Sequence, residues 1–209
     1  MSGSLSQLDL VADLKASLHD LASVFTKEPA DAAYIRHLDQ AALDMHRVRP
    51  RRLQGTITLV ALQHYYAAPA DMLRVIQVLY ADQERNSLRP WDTGYAHNIP
   101  RAEAQYTGDT PMLWLSPAPT SSMIAVCGAS YGFLYSARHQ VATDAEDTTI
   151  RAVDRHLLLL RAQAEAMKEA AARNISKPIA VTDTISSVTR NGVPAALYDQ
   201  LLKEFLKAA

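Results

Sequence analysis

The chain of 209 residues has a single cysteine, Cys127, and no large excess of charge of either sign. One cysteine excludes an intrachain disulfide framework and a CxxC-type metal site, and it suits a reducing compartment. The formal net charge of −1 argues against a broad, nonspecific nucleic-acid binder. The N-terminus lacks a basic stretch followed by an apolar run, so no signal peptide is expected. Charges interrupt the longest apolar helical stretch, so no membrane-spanning segment is expected.

Patterns that hold cofactors or metals are also missing. The sequence contains neither of the common glycine-rich phosphate-binding loops. None of the histidine pairs has the i, i+4 spacing of a helical zinc site, and no cysteines join them. Solvated or structural histidines are therefore expected, and no cofactor or metal is expected. The seven histidines are His19, His37, His46, His64, His97, His139 and His156.

One short pattern matches a catalytic motif. Gly128-Ala-Ser130-Tyr-Gly132 fits GxSxG, which in hydrolases places a serine nucleophile on a strand-to-helix turn. Met123–Cys127 is predicted to be the strand before it. Only His139 and His156 follow the motif, Asp154 and His156 point to different faces of a helix, and no glycine-rich oxyanion loop precedes the motif. The simpler interpretation is a strand with small residues at close packing positions. A serine esterase around Ser130 remains as an alternative.

Apolar residues at intervals of three and four predict two N-terminal helices. The first spans Ser4–Thr26, with either Ser4 and Gln7 or Ser6 and Asp9 as its capping pair. The second begins at Pro29, where a missing N–H costs little, and ends before Pro50.

The centre of the chain is predicted to form four strands. They are Thr56–Val60, Leu73–Tyr80, Met112–Leu115 and Met123–Leu134, a small and mostly antiparallel sheet inserted between helices. The polar stretch Ala81–Pro111 shows little periodicity and is predicted to be a long loop.

A long helix is predicted from about Asp147, with that residue as its N-cap. The following segment, Ile175–Arg190, is predicted to be an extended linker. Pro194 then opens a last short helix, which has an apolar stripe on one side: Leu197, Leu201 and Phe205.

A basic cluster follows the second helix, and it has two interpretations. Positive charge at a helix C-terminus is favoured by the helix dipole, so the cluster can be a solvated helix end. It can also contact phosphate or an acidic partner. The residues of this candidate DNA- or partner-contact site are Arg47, Arg49, Arg51 and Arg52.

The order of these segments resembles the head-to-tail adaptor (connector) proteins of tailed bacteriophages. The similarity lies in an N-terminal helical pair ending in RRL at Arg51–Leu53, and in the strand, Tyr, Pro-Ala-Asp, strand pattern of TITLVALQHYYAAPADMLRVIQV. It continues through MLWLSPAP at Met112–Pro119, a strand ending in Tyr131, and a long helix.

The resemblance implies an α+β fold, a mainly α-helical bundle with an inserted small antiparallel β-sheet. The adaptor domain would span 1–174, with its bundle at 4–48 and 147–174 and its β insertion at 53–135. The resemblance covers about Leu8–Arg173, and from the residues that follow we expect an extended C-terminal arm with a short helix at 175–209. Because a helix after a linker has little else to bury against, Leu197, Leu201 and Phe205 are expected to dock on the portal or on a neighbouring subunit.

The implied function is structural and not enzymatic. Such proteins form a dodecameric ring in the virion neck, after synthesis in the host cytoplasm. The ring binds the portal protein on one side and tail or neck proteins on the other, and DNA passes through the lumen without sequence specificity. No membrane partner is expected. Besides the esterase, another phage tail or neck component remains as an alternative.

Overall fold

The computed structural model describes residues 5–25, 29–81, 89–92, 95, 98–108, 110–173, 179–182 and 189–208, without the side chains of 20, 22, 23, 179–182 and 189–191. The chain forms two compact units. The helical unit consists of 1–50 and 139–209, and the β unit consists of 51–138. Ser4, Thr26 and much of the predicted 175–190 linker lie outside the described residues. The division of the chain at residue 174 stays a prediction.

The helical unit contains five α-helices and a two-stranded antiparallel sheet in its described part. The helices are α1 (Gln7–Leu18), α2 (Ala22–Phe25), α3 (Ala32–Asp44), α5 (Arg155–Ala172) and α6 (Pro194–Lys207), and the sheet pairs β7 (Ile179–Thr182) with β8 (Thr189–Gly192). The core lies between these helices. Short 3₁₀ turns at His19–Leu21, Pro29–Asp31, Met45–Arg47 and Ala152–Asp154 precede or follow them.

Both N-terminal helical segments are present, but their predicted bounds are wrong. The first is divided into α1 and α2 by a 3₁₀ turn that begins at His19, whose φ is 38°, and the second α-helix begins at Ala32 and not at Pro29. Of the two capping alternatives, the one with Ser6 and Asp9 is confirmed. Ser6 is the N-cap of α1, and its hydroxyl oxygen accepts a hydrogen bond from the Asp9 backbone N–H at 3.2 Å. This bond satisfies one of the amide groups that a helix leaves open at its N-terminus.

The predicted start of the long helix at Asp147 is wrong, because α5 begins eight residues later, at Arg155. Threonine hydroxyls hold the intervening residues in a loop. The Thr148 hydroxyl donates to the Leu5 carbonyl and accepts from the Ala142 N–H, both at 3.0 Å. The Thr149 hydroxyl accepts from the Gln140 N–H at 2.9 Å. Such side-chain bonds give the backbone an alternative to the helix.

The β unit contains two three-stranded antiparallel sheets and one short helix. The first sheet has the order β1 (Arg51–Thr58), β6 (Ser130–Ala137), β3 (Met72–Val78). The second has the order β2 (Tyr65–Ala67), β5 (Thr110–Ser116), β4 (Arg101–Thr107), and the helix is α4 (Ser121–Cys127). Strands β3 and β4 lie next to each other, and the Tyr106 hydroxyl of β4 donates to the Met72 carbonyl of β3 at 3.1 Å.

Two local predictions in the β unit are wrong. Met123–Cys127, predicted as a strand, is part of α4, which is capped by the Thr120 side chain and ended by Gly128 at φ 84°. A short apolar run does not distinguish a helix from a strand by periodicity alone. The predicted loop Ala81–Pro111 contains β4. Three of the exposed positions of β4 are polar: Arg101, Glu103 and Thr107. Because of these polar residues, the segment was predicted to be a loop.

The prediction of a mainly helical bundle with one small sheet is therefore wrong. The chain is a mixed α+β protein with two three-stranded antiparallel sheets. Strands β2 and β4 account for the second sheet, because neither was predicted and both pair with β5. The predicted short C-terminal helix is also longer than expected, at 14 residues.

Gly55 has a steric role in the first sheet. It lies in β1 opposite Phe133 of β6, and a Cβ atom at residue 55 would lie 2.6 Å from Phe133 Cζ. The Phe133 ring is fully buried in the core of the β unit. A side chain at residue 55 therefore requires the ring to move within a packed interior.

We predict that Gly55→Ala destabilises the β unit by about 1–3 kcal/mol, the usual range for overpacking. Gly132→Ala is the matched control, because a Cβ there would meet Leu79 Cβ at an ordinary 3.6 Å. Urea unfolding followed by circular dichroism measures both variants. Equal stabilities for the two variants would show that Phe133 does not require a glycine at residue 55.

Candidate partner-contact site

The predicted arginine cluster divides between the two units. Arg47 and Arg49 belong to the helical unit, whereas Arg51 and Arg52 begin β1 of the β unit. Each pair is therefore described within its own unit.

Arg49 joins three segments of the helical unit. Its Nε donates to Asp154 Oδ1 at 3.1 Å, just before α5, and its Nη1 donates to the Ala208 carbonyl at 2.6 Å, just after α6. The Arg49 carbonyl accepts from His139 Nε2 at 2.7 Å. A guanidinium at the C-terminus of α6 also complements the negative end of the helix dipole. Arg49 thus has an internal structural role.

Asp154 accepts hydrogen bonds from two arginines. Arg151 Nε donates to Asp154 Oδ2 at 2.7 Å, opposite the Arg49 contact. Burial acts to raise the pKa of Asp154, but the hydrogen bonds from Arg151 and Arg49 outweigh it, so the pKa lies below its ordinary value. The carboxylate is therefore ionised at neutral pH and holds Arg49 firmly.

We predict that Arg49→Ala lowers the free energy of unfolding of the helical unit by about 1–3 kcal/mol, because it removes two charge-assisted hydrogen bonds from a buried carboxylate and a helix end. Arg47→Ala is the matched control. The Arg47 side chain is 58% exposed and its nitrogen lies 3.7 Å from Asp44, so its loss is expected to change stability by less than about 0.5 kcal/mol. Thermal or urea unfolding at 222 nm separates the two, and equal effects would refute the role of Arg49.

In the β unit, Arg51 is also engaged. Its Nη1 donates to Asp71 Oδ2 at 2.8 Å, and the Tyr135 hydroxyl donates to Asp71 Oδ1 at 3.2 Å. These bonds connect β1 and β6 to the residue just before β3. Arg51 therefore contributes to the internal order of the first sheet.

Arg52 differs, because among the described residues it has no ion-pair partner. It is exposed, and it lies opposite Ser136 of β6 on the outer face of the first sheet. Arg74 of β3 lies opposite the same serine from the other side and is also exposed. Arg74 was not among the predicted site residues, because a register shift interrupts the alternation of β3. Two exposed arginines thus flank one position of the outer face.

The described strands of the first sheet carry no carboxylate on that face. Its other members are uncharged: Gln54, Thr56, Thr58, Gln77, Ser130, Gly132 and Leu134. This combination of hydroxyl, amide and two guanidinium groups is suited to weak contacts with phosphate groups or an acidic surface.

The C-terminal helix does not project its predicted docking stripe. Leu197, Leu201 and Phe205 are exposed by 2%, 1% and 0%, and they lie in the core of the helical unit, where α6 packs on α5. The premise that this helix has little else to bury against is wrong. Docking through these three side chains stays a prediction, and it requires the helix to leave its site.

The opposite side of α6 carries the accessible surface. A shallow groove of about 380 Å³ lies along Asp199, Leu202, Lys203, Leu206 and Lys207. Leu206 is 45% exposed there. Two leucines, two lysines and one aspartate line the groove.

A buried charged cluster between α3 and α5 was not foreseen. Arg161 is 5% exposed, its Nε donates to Asp44 Oδ2 at 2.8 Å, and it also pairs with Glu165. Charges so deeply buried need partners of opposite sign. The spacing of Arg161 and Glu165 by four residues was a usable signal for their pairing, but the partner on α3 is 117 residues away.

A second cluster joins the same two helices. His37 Nε2 lies 2.8 Å from Glu169 Oε2, and Glu169 also pairs with Arg36 and Arg173. The carboxylate only accepts, so Nε2 of His37 carries the proton. Burial lowers the pKa of His37. Burial acts to raise the pKa of Glu169, but the bonds from His37, Arg36 and Arg173 outweigh it and lower the pKa to about 2.

Both shifts make the helical unit less stable in acid. Below pH about 6.5, His37 binds a proton in the unfolded chain, whereas its lowered pKa moves this protonation to a lower pH in the folded chain. From about pH 4.5 towards 2 the unfolded chain protonates Glu169 first. In each window the unfolded state binds more protons, so stability falls with falling pH.

We predict that His37→Gln flattens the fall in unfolding free energy between pH 7 and 5 while preserving the fall below pH 4.5. Glutamine keeps a donor for Glu169 but does not titrate. His46→Gln, at an exposed position, is the control for the loss of a histidine. Urea titrations at each pH provide the measurement, and an unchanged slope in His37→Gln would refute the assignment.

The GxSxG segment does not have the geometry of a nucleophile turn. The helix α4 precedes it and the strand β6 begins at Ser130, which reverses the strand-to-helix order that the motif requires. Among the described residues, Ser130 has no hydrogen bond to a histidine. His139 bonds the Arg49 carbonyl and His156 bonds the Val153 carbonyl.

Other chemistry is likewise missing from the described part of the chain. Its histidine, cysteine and acidic side chains form no group of three that is suited to a metal ion. None of its helices has both the length and the apolar character needed to cross a membrane.

A family model described as SU10 adaptor protein matches residues 7–202, which is nearly the whole chain. The chain belongs to the SU10 adaptor protein family. This is a family of phage head-to-tail adaptors, so the predicted resemblance is confirmed. No curated protein matches the chain significantly. This member of the SU10 adaptor family is a phage structural adaptor that interacts with other head or tail proteins in the virion neck.

Proposed function

We propose that this adaptor assembles as a dodecameric ring between the portal and the tail, with viral DNA passing through the lumen without sequence specificity. The family match over 7–202 carries the proposal. A ring of identical subunits needs two different, complementary faces on each subunit.

The electrostatics support a passage for DNA. The net charge is −1, and two of the four clustered arginines are held by Asp154 and Asp71. Many phosphate contacts would fix DNA in place, because each contact adds to affinity. The outer face of the first sheet, with Arg52 and Arg74 among uncharged polar groups, is our proposed DNA-facing surface.

Exposed apolar side chains support contacts with other virion proteins. In the β unit, Leu62 is 78% exposed at a positive φ of 64°, and Trp91 is 76% exposed. In the helical unit, the groove along Leu202 and Leu206 is our proposed surface for portal contact. Large exposed apolar groups are typical of interaction sites.

We predict that the purified chain, mixed with the portal protein of its own phage, forms a twelvefold ring on it. Native mass spectrometry gives the copy number, and negative-stain microscopy gives the symmetry. Single subunits that fail to bind the portal would contradict the proposal.

Ser130→Ala separates the structural function from the esterase alternative in the same experiment. We expect this variant to assemble like the wild type, because the Ser130 side chain is exposed and the proposal assigns it no role. Hydrolysis of an ester substrate that disappears in Ser130→Ala would instead favour the enzyme.

A further inference from the structure

The edge strand β1 has a defined set of unpaired backbone groups. The Leu59 N–H donates to the Ala129 carbonyl at 2.8 Å, and on the far side of β6 the Gly132 carbonyl accepts from the Leu79 N–H at 2.9 Å. Backbone groups alternate in direction along a strand. With the register of Thr58 to Ser130, the odd-numbered residues of β1 face β6. The N–H and C=O groups that face away belong to Arg52, Gln54, Thr56 and Thr58.

This edge is open. In the described part of the chain, none of those four residues has a hydrogen-bond partner on that side, and all four side chains are exposed. Strand β1 pairs with β6 over eight consecutive residues without a register shift and contains no proline. Natural proteins usually shield such an edge with charged side chains, a bulge, a proline or a covering segment. Strand β1 carries charge only at its first two residues, Arg51 and Arg52.

The other edges of the two sheets are less available. Strand β3 has two register shifts and lies beside β4. Strand β2 has only three residues, and the Tyr65 carbonyl accepts a hydrogen bond from Gln63 Nε2 at 2.7 Å. Among the described strands of the β unit, β1 is the longest edge strand, and it pairs with its neighbour without a register shift.

We propose that two copies of this chain pair in solution through β1, antiparallel, about a twofold axis at Gly55. In this register Arg52 lies opposite Thr58 of the second copy, and Gln54 lies opposite Thr56. All four outward-facing residues of each copy are then satisfied, in about eight backbone hydrogen bonds. A register centred one residue earlier leaves Thr58 opposite Pro50, which has no N–H to donate.

The side chains are self-complementary in this register. Leu53 of one copy lies opposite Ile57 of the other, twice, on the face that covers the core of the β unit. Both are only partly buried in the single chain, so pairing covers more apolar surface. Gly55 meets its own copy on the axis, where strands approach most closely without side-chain interference.

The charges also permit the pairing. Arg52 of each copy lies at opposite ends of the interface, about 20 Å apart at the rise of a strand. That distance exceeds the screening length of about 8–10 Å at physiological salt. Glutamine opposite threonine, and arginine opposite threonine, place no like charges in contact.

This inference rests on the geometry of β1 and not on the proposed function. A twofold contact closes at two copies, so it is distinct from the head-to-tail contact of a ring. It covers the unpaired backbone groups of the β1 edge in the free protein, before assembly.

The decisive variants are Thr56→Pro and Thr56→Val. Proline removes an N–H that faces away from β6, so the fold is kept while two intermolecular bonds are lost, one in each copy. Valine keeps the N–H and the β-branched shape. Sedimentation equilibrium is expected to show dimers for the wild type and Thr56→Val, and a dissociation constant about 100-fold higher for Thr56→Pro.

A second measurement needs no variant. In hydrogen exchange of the wild type, we expect the amides of Gln54, Thr56 and Thr58 to be protected at high protein concentration and to exchange faster after dilution. Dimers of equal strength in both variants, or single chains at every concentration, would overturn the inference. Failure of ring formation with the portal would affect the proposed function alone.

Discussion

The burial of helix α5 is the constraint on which the helical unit depends. Eleven of its 18 residues are buried, among them Arg161, Gln163 and Glu165. A helix surrounded on most sides needs apolar neighbours for its alanines and leucines, and opposite charges for its buried arginine. Helix α3 provides Asp44 as the partner of Arg161, and helix α6 packs its apolar stripe on α5.

The same constraint explains the ends of the helical unit. Arg49, between α3 and the β unit, bonds to Asp154 before α5 and to Ala208 after α6. The chain leaves and re-enters this unit near residues 50 and 139, and His139 bonds the Arg49 carbonyl. A residue that looked like a partner-contact group in the sequence thus holds the connections of the unit together.

Much of this architecture was accessible from the sequence. The periodicity of α1 and α3, the Ser6 cap and the order of the elements predicted the helices and the adaptor family. The sequence did not reveal which buried charges pair across more than a hundred residues, as Asp44 and Arg161 do. It also could not distinguish α4 from a strand, because seven residues with few polar groups carry no clear period. The exposure of Arg74 could not be predicted because β3 is irregular. The burial of the α6 stripe depends on tertiary contacts, which the sequence does not show.

The central claim is that the helical unit closes on itself, with α6 as part of its core and not as a free arm. Hydrogen exchange of the backbone amides of α6 in the isolated subunit tests this most directly. We predict that amides in the middle of α6, around Leu201, are protected to the same degree as those in the middle of α5. Exchange of the α6 amides at the rate of an unfolded peptide, beside a protected α5, would contradict it.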